Sequence, residues 1–137
     1  MILADSSAAI AAFAPWHESH DAVARGLGRG AGIVAHAATE TYSVLTRLPP
    51  PYRAPAAVVG AFLEERFGRR WRGLPEAEQR ATLVRLPGLG IDGGATYDAL
   101  IAAAAVHASA TLLSCDERAL PVYAAIGADV ELIPAGG

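Results

Sequence analysis

Four acidic residues carry the chemistry this chain could perform: Asp5, Glu40, Asp98 and Asp116. Asp5 directly follows the apolar run Met1 to Ala4, and Asp116 follows Thr111-Leu112-Leu113-Ser114 with one residue between. Glu40 borders a stripe at helical spacing, Ala37, Thr41, Val44, Leu45 and Leu48, and Asp98 opens the alanine-rich segment Tyr97 to Ala105. Singly, each has an ordinary explanation. The three aspartates suit helix N-caps or first turns, and Glu40 can snorkel to solvent from the edge of a buried face. Their joint placement, at strand ends and helix starts, says more. No basic residue adjoins Asp5, Glu40 or Asp98 in sequence. Clustered carboxylates repel and raise one another's pKa, so such a set is at rest only with divalent cations. Hard oxygen ligands favour Mg²⁺ or Mn²⁺, which activate a water and stabilise the charge of an in-line phosphoryl displacement. Phosphodiester hydrolysis is the reaction these residues would serve.

Positioning these acids requires alternating strands and helices. The pattern predicts a strand over Met1 to Ala4, helices over Ala8 to Phe13 and Trp16 to about Leu27, and a strand over Ile33 to Ala35. Helices follow over Ala37 to Leu48, Ala54 to Phe67 and Pro75 to Leu86, with a short edge strand within Arg69 to Gly73. A loop with Pro87, Gly88, Gly90, Gly93 and Gly94 leads to helix Tyr97 to Ala108, strand Thr111 to Ser114, helix Glu117 to Ile126 and strand Val130 to Ile133. This order predicts an α/β domain with a mostly parallel sheet, in which ligands bind beyond the carboxyl ends of the strands. The expected unit is one domain, residues 1–137.

Composition narrows the function. The chain carries 31 alanines, which favour closely packed helices. A net charge of −3 argues at first against a nucleic-acid partner. Setting the four acids aside, ten remain against eleven basic residues, and bound cations reverse the sign at the site. All eleven are arginine, so chemistry that needs a lysine, as in P-loop NTPases, is excluded. The single cysteine, Cys115, cannot form an internal disulfide and agrees with a reducing compartment. No run of residues suits a membrane span and the start lacks a signal-peptide pattern, so the expected location is the cytoplasm.

Secondary candidates are weaker. His17, His20 and Asp21 suit a solvated helix face better than a metal site. His36 and His107 would form an acid/base pair only if the fold brought them together. Arg66, Arg69, Arg70 and Arg72 are either a basic contact surface or a solvated helix end. Glu117 is either an outer ligand beside Asp116 or a first-turn helix residue. An aspartyl-phosphate mechanism wants a second aspartate two residues after Asp5, where Ser7 stands, and no glycine-rich phosphate turn follows the first strand.

The segments Leu3-Ala4-Asp5-Ser6-Ser7, Thr39-Glu40, Tyr97-Asp98-Ala99-Leu100-Ile101-Ala102-Ala103-Ala104 and Leu113-Ser114-Cys115-Asp116 resemble the four acidic motifs of PIN domains, a likeness that covers nearly the whole chain. By length and motif order the chain is similar to the VapC-type toxins of toxin–antitoxin pairs. The resemblance implies a three-layer α/β/α sandwich, Mg²⁺ or Mn²⁺ held by Asp5, Glu40, Asp98 and Asp116, and endoribonuclease activity on RNA, often tRNA. It also implies a homodimer, and an antitoxin whose C-terminal segment occupies the active-site groove. Ser6 and Ser114 would orient ligands or water, with serine at 114 where the family more often has threonine. Arg66, Arg69, Arg70 and Arg72 are candidates for contact with RNA phosphates or with acidic antitoxin residues. The competing expectation is a PIN-like RNA-binding or scaffold module without turnover.

Overall fold

Residues 1–28 and 30–136 are described in the computed structural model. Short apolar runs bounded by turn residues become the strands β1 (Ile2–Ala4), β2 (Gly32–Val34), β3 (Trp71–Arg72), β4 (Thr111–Ser114) and β5 (Asp129–Leu132). They form one sheet in the order β3-β2-β1-β4-β5, with every pairing parallel rather than most of them. The register pairs Leu3 with Gly32 on one side and with Leu112 on the other. Gly32 is required by close approach: a β-carbon there would collide with the Arg70 carbonyl, which accepts the Ile33 N–H at 2.9 Å. The expected edge strand is therefore real, and it is short.

Among the described residues seven helices flank the sheet: α1 (Ser6–Phe13), α2 (His20–Leu27), α3 (Ala35–Leu45), α4 (Ala56–Phe67), α5 (Glu76–Leu89), α6 (Ala95–His107) and α7 (Leu120–Ile126). α1 packs on α2 and α3, and α3 on α4, while α6 packs on α5 and α7. The expected α/β/α architecture holds. Helix α6 is apolar almost all round, with Ala99, Ile101, Ala102, Ala103, Ala104 and Ala105 buried. Alanine adds little bulk, so this helix lies close to the sheet and carries its first turn, with Asp98, toward the end of β4. No helix among the described residues is long and apolar enough to cross a membrane.

Several boundaries differ from the sequence expectation. α2 starts at His20 and not at Trp16, because two successive turns, His17 N–H to Ala14 O and His20 N–H to His17 O, intervene. α3 ends at Leu45, where Thr46 Oγ1 donates to Tyr42 O and Arg47 N–H reaches back to Val44 O, tightening the last turn. α5 continues through Pro87 to Leu89, and its stop is Gly90, in the left-handed region at φ 69°. The last helix is preceded by a 3₁₀ turn over Glu117–Ala119.

Candidate active site

β1 is central, and the chain leaves it toward β2 on one side while β4 lies on the other. A crevice opens beyond the carboxyl ends of strands at such a reversal. Asp5 follows β1 and Asp116 follows β4, so topology alone brings both to this crevice.

Asp5 is almost wholly buried, at 1% exposure, and receives three hydrogen bonds. Ser7 Oγ donates to Oδ1 at 2.6 Å, the Ala8 N–H to the same oxygen at 2.9 Å, and Tyr123 Oη to Oδ2 at 2.8 Å. The bond from Ala8 is an N-cap of α1, so the ordinary explanation for this aspartate is realised alongside the site. Burial pushes the Asp5 pKa up, and the surrounding donors pull it the other way. The same burial, with the charges of Asp5, Asp98 and Asp116, pushes the Tyr123 phenol far above its usual range, so it stays a donor.

Ser7 Oγ also accepts the Cys115 N–H at 2.8 Å and lies 3.4 Å from Ser114 Oγ, tying the end of β1 to the end of β4. Ser114, fully buried, accepts the Asp116 N–H at 3.0 Å. This local turn sets where Asp116 begins, and Asp116 Oδ1 in turn caps the 3₁₀ turn by accepting the Arg118 N–H at 3.0 Å. Asp98, in the first turn of α6, meets the same arginine. Arg118 Nη2 is 3.0 Å from Asp116 Oδ2 and 3.4 Å from Asp98 Oδ2. Burial and the charge of Asp116 raise the Asp98 pKa, against the opposing pull of Arg118.

Glu40 comes from α3. One of its oxygens, Oε1, is buried without a hydrogen-bond partner, and the nearest cationic candidate is His36 Nε2 at 3.7 Å. Burial raises its pKa, His36 lowers it, and the charges of Asp98 and Asp5 raise it further. The four acids, each drawn from a different element, are linked in a chain of electrostatic contacts: Asp5 with Glu40, Glu40 with Asp98, and Asp98 with Asp116. Their donor chemistry fits a hard divalent cation, and the unpartnered Glu40 oxygen is the most direct sign of it. Among the described residues no three acid, imidazole or thiol groups stand within range of a single ion. Arg118 holds Asp98 and Asp116, and donors hold both oxygens of Asp5. The absence of basic neighbours in sequence did not mean absence in space.

Other candidates are sorted by the fold. Ser6 has no side-chain hydrogen bond to the site among the described residues; Ser7, one position on, makes those contacts. Glu117 and Arg118 are exposed in the turn after Asp116. His36 stacks on Tyr97 at the start of α6 and His107 lies ten residues further along that helix, about 15 Å away at 1.5 Å per residue, so they form no pair. His20 Nδ1 is bonded to Ala11 O at 2.7 Å, and His17 Nδ1 accepts the Ser19 N–H. In the arginine cluster, Arg70 donates to Ala31 O and Arg66 O, and Arg72 to Trp71 O. These arginines cluster around β3 at the sheet edge, two strands from β1, and are not brought to the acids. Cys115 packs against the core, its thiol pushed up to about 11 by burial and by Asp5 and Asp116.

Sequence reasoning missed Ser7, Tyr123 and Arg118 as site residues. A tyrosine within the otherwise apolar helix α7 was a usable signal, since its hydroxyl requires a partner when buried.

A wholly parallel α/β sandwich with acids gathered at its central reversal defines the class. Residues 2–125 match the PIN domain family. The chain is 44% identical over 133 residues to ribonuclease VapC40 of Mycobacterium tuberculosis, covering 97% of this chain and 99% of the relative. It is 40% identical to ribonuclease VapC27 of the same organism, with 92% of each covered. In fold it resembles FitAcB from Neisseria gonorrhoeae, with TM-score 0.69 and 19% identity over 95% of this chain and 96% of that one. VapBC2 from Rickettsia felis, bound to a DNA fragment from their promoter, aligns with TM-score 0.62 and 16% identity over 96% and 98%. The chain belongs to the PIN domain family, and its identity to two VapC proteins over nearly its whole length puts it among the VapC-type members.

Proposed function

We propose that this chain is an endoribonuclease toxin, one PIN-like domain over residues 1–137, that hydrolyses RNA phosphodiester bonds with Mg²⁺ or Mn²⁺ held by Asp5, Glu40, Asp98 and Asp116. The observation that carries this reading is the electrostatic coupling of Glu40 to Asp5 and Asp98 and of Asp98 to Asp116, with Glu40 Oε1 buried without a hydrogen-bond partner. The ribonuclease relatives support RNA as the substrate class.

The ion would supply Lewis-acid charge to the scissile phosphate and lower the pKa of the attacking water. The chain's own residues do the positioning. Ser7, Ala8 and Tyr123 fix both oxygens of Asp5, and Ser114 fixes the turn that presents Asp116. Arg118 pairs with Asp98 and Asp116, the two acids whose oxygens it would share with a bound ion. The raised pKa values of Asp5, Glu40 and Asp98 are the electrostatic stress that a cation relieves.

The same reading includes a cytoplasmic location, a cognate antitoxin and a homodimer. FitAcB and VapBC2 as structural neighbours are in keeping with the antitoxin. Exposed Leu83, Val84 and Leu89 on α5 are apolar side chains that a partner would cover.

Purified protein incubated with total RNA and Mg²⁺ or Mn²⁺ tests the proposal. Cleavage is expected, abolished by EDTA and by Asp98→Asn. Cleavage indifferent to both would overturn the metal site, and RNA binding without cleavage under any metal would favour a scaffold module.

A further inference from the structure

Glu40 belongs to two places at once. On one side it is within electrostatic reach of Asp5 and Asp98. On the other it lines a groove of about 470 Å³ between the outer face of α3 and the first turn of α6. His36, Glu40, Ser43 and Arg47 follow one another along α3 and the turn after it at spacings of four, three and four residues, so they form one face. Across the groove stands Tyr97, next to Asp98 in sequence and 51% exposed. Its ring is parallel to that of His36, with an interplanar angle of 1° and centroids 5.4 Å apart. At that separation parallel rings are offset, which leaves aromatic surface open toward solvent.

We propose that this groove is a nucleobase subsite: one unpaired base of the RNA stacks on Tyr97, backed by His36, while Arg47 and the Ser43 hydroxyl meet the polar edges of that nucleotide. The inference rests on the ribonuclease reading and deepens it. A stacking platform accepts any base, because every base has a π-face, and it requires the base to be unstacked from its neighbours. The volume lies within the range of about 300–1,000 Å³ usual for small-ligand sites. Continuity with the acids through Glu40 and Asp98 favours RNA over a protein side chain as the occupant. A nucleotide seated here has its backbone at the mouth of the acidic crevice. A second groove, of about 320 Å³, is lined by Ser7, Ser19, Cys115 and Asp116.

The test uses a short single-stranded oligoribonucleotide carrying 2-aminopurine at successive positions, mixed with the full chain in EDTA. Fluorescence should be quenched at one position with the wild type and with Tyr97→Phe, and recover in Tyr97→Ala. In cleavage assays with Mn²⁺, Tyr97→Ala should raise KM by about 5- to 150-fold, leave kcat unchanged and leave Mn²⁺ affinity unchanged. Tyr97 is exposed, so the variant should melt like the wild type. Quenching that survives in Tyr97→Ala, or quenching at no position, would overturn the subsite and leave the groove to a protein segment. A wild type that stacks a base but cuts nothing would overturn the ribonuclease reading alone. A wild type that cuts with no dependence on Tyr97 would overturn the subsite alone.

Discussion

Tyr123 Oη donates to Oδ2 of Asp5 at 2.8 Å, a buried bond between residues 118 positions apart that joins α7 to the end of the central strand. Tyr123→Phe keeps the packing and removes the donor, leaving a buried carboxylate oxygen unsatisfied. The expected loss is about 1–3 kcal/mol of stability, read by urea denaturation at neutral pH. An unchanged midpoint would mean that water replaces the phenol.

Arg118 competes with any cation for Oδ2 of Asp98 and of Asp116. Arg118→Ala should therefore bind Mn²⁺ more tightly than the wild type in a calorimetric titration, and the gap should narrow as salt screens the guanidinium. A weaker grip in the variant would show instead that Arg118 assembles the site.

Metal-free stability should depend on pH in an unusual sense. Asp5 and Asp98 have folded pKa values above the ordinary 3.8, and Glu40 above 4.5. Where the folded value is the higher one, the folded state keeps protons that the unfolded chain releases. The stabilisation is full below the ordinary value and is lost as pH rises through the folded one. Between about pH 4.5 and neutrality these groups should lower Tm in EDTA, and Glu40→Gln should show a shallower decline. Mg²⁺ should restore Tm at neutral pH and do little in acid, where the carboxyls are protonated. A wild type and a Glu40→Gln variant with parallel profiles would contradict this.

Cys115 reports on the same charges. Its thiol is pushed up to about 11, first by burial and then by Asp5 and Asp116, so alkylation by iodoacetamide should be slow at about pH 8. Saturating Mg²⁺ neutralises the two carboxylates and should speed labelling at a fixed pH near about 9. Labelling that ignores the ion would place the cation away from Asp5 and Asp116.

Much of this was legible in the chain because strands are short apolar runs with acids directly after them. Asp5 and Asp116 follow β1 and β4 in sequence and in space, and the alternation of strands and helices was enough to expect them at one crevice. What was hidden depends on side chains meeting across elements. Ser6 and Ser7 are equivalent on paper, and only the pitch of α1 decides that Ser7 faces Asp5 and the Cys115 N–H. Arg118 read as an exposed turn residue, and it is exposed, yet its long side chain reaches Asp98, twenty positions earlier. His36 and Tyr97 stand 61 residues apart, on helices α3 and α6, so their stacking carried no sequence signal. Pro87 read as a helix stop, although a proline in the last turn costs only one bond and the left-handed Gly90 ends α5.

The bonds that hold Asp5 also decide how the site can be disabled. Both its oxygens face donors: Ser7 and Ala8 on one, Tyr123 on the other. Asparagine has a single acceptor oxygen, and its amide would turn N–H groups toward one of those donors. An Asp5→Asn protein would therefore be both uncharged and re-bonded, with the Tyr123 hydroxyl turned from donor to acceptor, and its inactivity would not report on charge alone. Asp98, with neither oxygen capping a helix, is the position where charge alone can be removed.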